Sequence, residues 1–317
     1  MKVLRLGTRG SQLALWQAHT AAGLVERAGG PPCEVVIIKT SGDKLAEAPL
    51  SEVGGKRLFV KEIEDALLRG DVDFAVHSCK DMPAVLPDGL TIGAVLPRED
   101  PRDVVVLPTA AGRPATLDDL REAMGRQRRI GTSSVRRIAA LTGLFPDASF
   151  VPIRGNLDTR LRKLDDGSLY DALVLAAAGM RRLGFTDRIS FPLPVEACVP
   201  APGQGAIAIE RRVDDAATRD ALASIDDAPT SVAIEAERAL VAALGGGCQT
   251  PIGAVAVPVG GDLDLHAVVV SLNGQHVVRG HGRAPRTQAA SLGARVAERL
   301  LAEGAGAILE DVRRAQS

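Results

Sequence analysis

The segment His77-Ser78-Cys79-Lys80-Asp81-Met82-Pro83 sets a thiol, an ammonium and a carboxylate at three consecutive positions. It follows the apolar run 72–76, so these groups fall just past the carboxyl end of a buried strand, where open α/β sheets bind ligands. Lys80 beside Asp81 offers a cation and a proton-transfer group at one spot; a solvated turn with a surface ion pair has the same pattern. A second segment, Gly131-Thr132-Ser133-Ser134-Val135-Arg136-Arg137, joins a strand to a helix starting near Ser134. Free backbone N–H groups, with the hydroxyls of Thr132, Ser133 and Ser134, make an anion site at such a start. Arg136 and Arg137 oppose the helix dipole there, a placement that hints at a bound acid. The alternative is two arginines directed into water.

Further arginines occupy comparable junctions: Arg9, Arg154, Arg160 and Arg182. Each alone reads as a surface residue. Converging on one cleft, they would suit a ligand with many carboxylates, each held by a forked pair. In Gly245-Gly246-Gly247-Cys248-Gln249-Thr250-Pro251 a cysteine follows three glycines, on a loop able to reach beyond its own domain. No adjacent histidine activates it as a nucleophile. A thiol carrying a covalent group fits this setting better, and a small residue in a tight turn is the simpler alternative. Pro202-Gly203-Gln204-Gly205 resembles a phosphate loop only loosely, lacking the Gly-Lys-Ser/Thr ending. The five histidines show no His-x-x-x-His or His-Glu pairing, so no metal site is expected.

The elements that position these residues alternate. Strand-like 3–7, 34–40, 72–76, 91–95 and 103–107 interleave with helix-like 12–28, capped by Ser11, and 56–68, closed by Gly70. Strands at 129–131, 150–153 and 172–176 and helices at 135–142, 157–164 and 177–183 repeat the theme. This predicts α/β layers with mainly parallel strands. Proline-marked stretches at 97–101 and 191–203 read as crossings between two lobes, and a double hinge leaves a cleft. Beyond Asp226 come a helix at 232–244, a hairpin of 263–271 and 276–280 around Asn273-Gly274, and a helix at 287–302. The expected domains are 1–98 with 199–219, 99–198, and a small α+β domain over 220–317. No internal sequence repeat is visible.

Length and composition bound the function. The 317 residues make about two domains, or three small ones. A 46% hydrophobic share supplies real cores. Lys+Arg of 38 against Asp+Glu of 39 gives a net charge of −1, so no global field draws nucleic acid or a membrane surface. Arginine outnumbers lysine 31 to 7, from codon bias or from selection for forked carboxylate binding. Aromatics at 3% leave little for stacking bases. Cys33, Cys79, Cys198 and Cys248 form no C-x-x-C pair. Residues 1–6 show no apolar signal core, and the longest apolar run, 172–180, is about half of the ~20 residues that span a bilayer. A soluble, cytoplasmic chain is expected.

Together these motifs resemble the porphobilinogen deaminase (hydroxymethylbilane synthase) family. The resemblance is carried by Thr8-Arg9-Gly10-Ser11-Gln12-Leu13-Ala14, Val53-Gly54-Gly55-Lys56, Leu58-Phe59-Val60-Lys61-Glu62, His77 to Pro83, and Arg98-Glu99-Asp100-Pro101-Arg102-Asp103. It continues with Gly131 to Ser134, Arg136-Arg137, Arg154-Gly155-Asn156 and the Cys248 loop. It implies two periplasmic-binding-protein-like lobes plus a third domain, and a transferase that joins four porphobilinogen molecules head to tail. Ammonia would be lost at each step, and water would release 1-hydroxymethylbilane. The implied cofactor is dipyrromethane, bound by thioether to Cys248. Arg9, Ser11, Lys80, Ser134, Arg136, Arg137, Arg154, Arg160 and Arg182 would hold the acetate and propionate groups. Asp81 would face the pyrrole N–H groups, assist ammonia loss and stabilise the cationic azafulvene. Lys56 and Phe59 would lie on a loop closing over the cleft, and the family precedent is a monomer. Cys79 departs from the family pattern and would place an oxidisable thiol two residues from Asp81. The rival readings are a two-lobed solute-binding protein without catalysis and a cysteine hydrolase.

Overall fold

Ser11 starts the first helix as its position predicts: extended itself, it accepts a hydrogen bond from the Ala14 amide at 3.3 Å, and the helix Gln12–Arg27 follows. Its buried face carries Gln17, Ala18, Ala21, Ala22 and Val25. The computed structural model describes residues 3–44, 60–247 and 250–316. Lys56, Phe59 and Cys248 lie outside the described residues.

Thirteen described strands form three sheets. In chain order they are β1 (Leu4–Thr8), β2 (Cys33–Ile37), β3 (Phe74–Ser78), β4 (Leu90–Val95), β5 (Asp103–Val106), β6 (Arg129–Gly131), β7 (Ser149–Val151), β8 (Ala172–Ala176), β9 (Phe191–Pro192), β10 (Ile207–Arg212), β11 (Ile252–Val259), β12 (Asp262–Val270) and β13 (Val277–Pro285). The sheet orders are β2-β1-β3-β10-β4, β7-β6-β8-β5-β9 and β11-β12-β13. The first two are the same arrangement used twice, although no sequence repeat announces it. In each, four strands run one way, and the odd antiparallel strand is the one by which the chain arrives from the other lobe, β10 or β5. The expectation of mainly parallel α/β lobes is therefore met.

Inward-facing apolar residues hold each layer. Leu6, Phe74 and Ile209 are fully buried in the first lobe, and Ile130, Leu141 and Leu173 in the second. Burial of each such side chain stabilises by about 1.5–3 kcal/mol. In the third unit the helices Ala228–Ala243 and Ala289–Ala302 cover the inner face of β11–β13, meeting Leu263, Leu265 and Val269. Asp227 caps the first of these helices, with Pro229 in its first turn, so it begins four residues earlier than its apolar stripe indicates.

Because β5 and β10 are antiparallel insertions, their amino ends lie beside the carboxyl ends of β8 and β3: Asp103 pairs with Ala176, and Ile207 with Ser78. The polar segments of the sequence therefore gather where the two sheets end toward one another.

Candidate active site

After β3 the chain makes one tight turn, Cys79–Asp81, whose first amide donates to the Ala206 carbonyl at 3.0 Å. Gly203 lies against it. With φ +75° and a position where a Cβ would sit 2.9 Å from the Cys79 Sγ and 3.0 Å from the Lys80 amide, only glycine fits. The Lys80 Nζ donates to the Gln204 Oε1 at 3.3 Å. Burial, with Arg137 nearby, pushes the Lys80 ammonium down to about 8, against the opposing pull of Asp81 and Asp103. Cys79 is 3% exposed, and burial pushes its thiol up to about 11, so the expected oxidisable thiol is a packed, protonated one.

Ser134 caps the helix Val135–Leu144 by accepting from the Arg137 amide at 3.4 Å. The two arginines that follow turn inward, not into water. Asp103, fully buried at the start of β5, takes Arg136 Nη2 at 2.7 Å and Arg137 Nε and Nη2 at 3.0 and 2.8 Å. Gln204 Nε2 donates to the same carboxylate at 2.9 Å, and Cys198 Sγ at 3.3 Å. Burial works against the charge, but Arg136 and Arg137 overcome it and hold the Asp103 carboxyl far below the usual range. The acid that the arginine pair demanded is thus supplied partly from within. One carboxylate balances one of two guanidinium charges, and the Arg136 Nε is buried with no hydrogen-bond partner. Of the expected anion loop, Thr132 is buried and accepts from the Ser134 amide at 3.2 Å, while Ser133 bonds the Ile153 backbone. Both hydroxyls hold the loop, and Ser134 alone of the three lines the cavity described below.

The remaining cations divide. Burial lowers the Arg160 pKa, as do Arg137 and Arg154, with Asp81 opposing, which puts these four groups within mutual electrostatic reach. Arg160 Nε donates to the Gly155 carbonyl at 2.8 Å, and neither Arg154 nor Arg160 has an ion pair among the described residues. Arg182 spans the lobes. It stacks 5.7 Å from the Trp16 ring centroid and donates to the Gly205 carbonyl at 2.6 Å, and burial pushes it down to about 10. Arg9 is paired with Asp43 at 2.6 Å, and Ser11 is engaged as a cap, so these two stand apart from the Arg137–Arg154–Arg160 group.

A cavity of about 100 Å³ opens beside Lys80. Cys79, Ser134, Arg136 and Gly203 line it together with Arg238, Gly247 and Thr250. The described flanks of the cysteine loop therefore border the same space as the lysine turn. Glu237 ties the third unit to the first lobe beside it. This buried carboxylate accepts from the amides of Gly203 at 2.6 Å and Ala256 at 2.8 Å, and from both Nη atoms of Arg98. Pro202-Gly203-Gln204-Gly205 is accordingly a clamp between lobes, with its Gly203 amide on a carboxylate and not open to a phosphate.

Sequence reasoning overlooked Asp103, Gln204, Glu237 and Arg238. A signal existed for two of them. Asp103 opens an otherwise apolar strand, and Glu237 interrupts the Ala233/Ala236/Leu240 stripe; a charge in a buried row implies a partner.

Residues 4–220 match the family model described as porphobilinogen deaminase, dipyromethane cofactor binding domain, and residues 231–302 match the porphobilinogen deaminase C-terminal domain. The chain is 48% identical over 315 residues to the porphobilinogen deaminase of Syntrophobacter fumaroxidans, covering 99% of each chain. It is 47% identical over 313 residues to that of Acidithiobacillus ferrooxidans, covering 98% of this chain and 99% of the relative. This chain belongs to the porphobilinogen deaminase family. It therefore carries that family's dipyrromethane-binding domain and belongs among the enzymes of tetrapyrrole biosynthesis. Among solved structures, the periplasmic VFT2 domain of Bordetella pertussis BvgS aligns with a TM-score of 0.41 at 17% identity, covering 70% of this chain and 86% of that one. Immunogenic lipoprotein A from Vibrio vulnificus aligns at 0.42 and 12%, covering 70% and 94%.

The residues present fit such a cofactor. Two pyrroles bring four carboxylates, and the cavity region offers a surplus of cations, an orphaned Arg136 Nε and a half-buried lysine held by one 3.3 Å contact. No described helix is long and apolar enough to cross a membrane.

Proposed function

We propose that the chain is a hydroxymethylbilane synthase that joins four porphobilinogen molecules on a dipyrromethane attached to Cys248, with Asp81 as its acid–base group. The observation that carries this reading is the placement of Lys80 and Asp81 on one turn. They share electrostatic reach with Arg137 and Arg160, beside a cavity that the flanks of the Cys248 loop also border. When bound, the dipyrromethane supplies the ring carbon to which the first substrate is joined.

The protein's own groups do the rest. Arg136, Arg154, Arg160, Arg182 and Lys80 hold acetate and propionate groups, each as a charge-assisted hydrogen bond. Ser134 adds a hydroxyl at the cavity wall. Arg9 and Ser11 join this set once Asp43 yields its partner. Asp81 accepts pyrrole N–H hydrogen bonds and holds the proton that the departing amine requires. It also offsets the positive charge that the substrate's methylene acquires as the C–N bond breaks. A carboxylate in this role accelerates the step by about 10²–10⁴-fold. Arg137, already committed to Asp103, positions Arg136 and adds field without a free fork. In this reading Lys56 and Phe59 are assigned the task of keeping water from the cation. The lobes are 1–98 with 199–219 and 99–198, and the third domain is 220–317, save that the helix Ala216–Ala223 crosses this boundary and its Leu222, with Ile225, packs in the first lobe's core.

Intact mass of the purified chain tests the attachment. The wild-type protein is heavier than its sequence by one dipyrromethane, and Cys248→Ser has the bare mass and no turnover. Fully active protein of bare mass refutes the reading.

A further inference from the structure

The outer face of β12 and β13 brings together three metal-ligand side chains that sequence spacing does not connect. His266 and His281 are directly opposed in the antiparallel ladder, and Asp264 is two residues before His266 on the same face. One ligand atom from each of the three lies within 4.8 Å of the others. The same Asp264 Oδ1 contacts the Nε2 of His281 and stands 3.6 Å from the Nε2 of His266. The imidazole rings are 4.7 Å apart, centroid to centroid. Both nitrogens thus aim at one point beside a carboxylate oxygen.

A hydrogen-bonded His–Asp pair accounts for His281 alone. It does not account for the second imidazole, whose Nε2 faces the same oxygen from 3.6 Å, beyond hydrogen-bond distance. We infer that Asp264, His266 and His281 form a binding site for a divalent transition-metal ion of the zinc class. Two imidazoles and a carboxylate are a familiar borderline-soft donor set, and strand positions fix them more rigidly than a loop would. Binding places the ring protons on the Nδ1 atoms and releases to solvent any proton held on Nε2. The neighbouring Arg283 is offset by Asp262 at 3.0 Å, so it adds little repulsion. The side chains of His266, His281 and Asp264 are 44%, 56% and 28% exposed, which leaves the remaining coordination positions to water. This runs against the expectation, drawn from histidine spacing, that no such site exists. Cross-strand pairing supplies a proximity that linear spacing does not show.

The site lies next to a domain contact. Val268, one outward position further along β12, packs with Ala139 of the second lobe. Bound ion would brace the third sheet near that contact without entering the cavity at Lys80.

The test is calorimetric titration of Zn²⁺ into untagged, chelator-treated full-length enzyme, with Co²⁺ absorption as a second readout. The expected result is one equivalent bound by the wild type and by the control His276→Ala. Affinity should fall at least tenfold in Asp264→Asn and be lost in His266→Asn and His281→Ala. All three altered side chains are partly or fully solvent-exposed, and unchanged circular dichroism verifies folding. Absence of wild-type binding at 100-fold excess Zn²⁺, or binding that survives both histidine substitutions, overturns the proposal. The outcome is independent of turnover and of the Cys248 mass test.

Discussion

Replacing Asp103 by Asn isolates the charge at the centre of the inter-lobe network while keeping its shape. The wild-type carboxylate, fully buried, receives Arg136, two bonds from Arg137, the Gln204 amide and the Cys198 thiol. If these were ordinary neutral hydrogen bonds, each would be worth about 1 kcal/mol, and an amide would keep some of them. The larger effect is the loss of counter-charge. Two guanidinium groups, 4% and 8% exposed, would be left buried with no anion. Removing one partner of a buried ion pair costs about 3–5 kcal/mol, and this carboxylate serves two partners, so the upper half of that range is expected. With a urea dependence of about 3 kcal/mol per molar, the unfolding midpoint should drop by roughly 1.3–1.7 M. The sign with pH follows from the depressed carboxyl pKa. Its stabilisation is complete above the unfolded value near 4 and is lost as pH falls toward the lower folded value. Wild type should therefore weaken in acid through this group while Asp103→Asn does not, and the gap between them should narrow below about pH 4. Adding Arg137→Met to Asp103→Asn should recover part of the loss. A cost under about 1 kcal/mol at pH 7, or a gap unchanged in acid, would refute the reasoning.

Asp81→Asn should leave the urea midpoint within about 0.5 kcal/mol-equivalent of wild type, since the group is not fully buried, yet lower turnover by about 10²–10⁴-fold; near-normal activity removes Asp81 from the chemistry. Lys80, pushed down to about 8, should lose its charge as pH rises past that value in apo-protein. Porphobilinogen affinity should then fall above pH 8 in wild type but not in Lys80→Met. Folding stability should shift the other way, rising between about pH 8 and 10.4 as the cost of burying the ammonium is relieved, and guanidinium titration at several pH values measures it. Gly205→Ala should be among the most damaging single-methyl additions. Its φ is +88° and the added Cβ would stand 2.3 Å from the Glu99 carbonyl, so loss of soluble expression or of several degrees in Tm is expected, and a wild-type Tm would contradict the clash.

The lobes were legible because their signals are local. Apolar runs of four to six residues, Ser11 and Ser134 as caps and Gly70 as a stop each act through neighbours in sequence. Strand β11 escaped notice because Pro258 sits inside it, which an edge strand tolerates. The terminal helix Ala305–Gln316 was missed although Ile308, Leu309 and Val312 are buried at helical spacing. At the site, the right segments were found but the partners were not. Arg136 and Arg137 were read as waiting for an external acid because Asp103 lies more than thirty residues earlier and meets them only through the insertion of β5. The same reason hid Glu237, whose partners Arg98, Gly203 and Ala256 come from three separate parts of the chain.

That arrangement explains why the cations at the cleft fall into two kinds. Arg136 and Arg137 share an internal carboxylate and are locked by backbone carbonyls of Val199 and Val174, so they cannot follow a ligand that grows. Among the described residues, Arg154 and Arg160 have no such carboxylate, and Lys80 is tied at 3.3 Å to Gln204. A chain lengthening by one diacidic ring at a time needs a fixed anchor at one end and re-usable cations along its path. The Asp103-bound pair meets the first requirement because breaking it costs several kcal/mol. The loosely held group meets the second because taking or releasing a ligand carboxylate breaks no internal ion pair of these cations among the described residues. In the proposed reaction Asp81 acts beside these cations, so the reacting end of the chain would return to it at each addition. In that reaction the movement between additions would fall to the ligand and the lobes, with the charge network at Asp103 kept closed by its buried ion pairs.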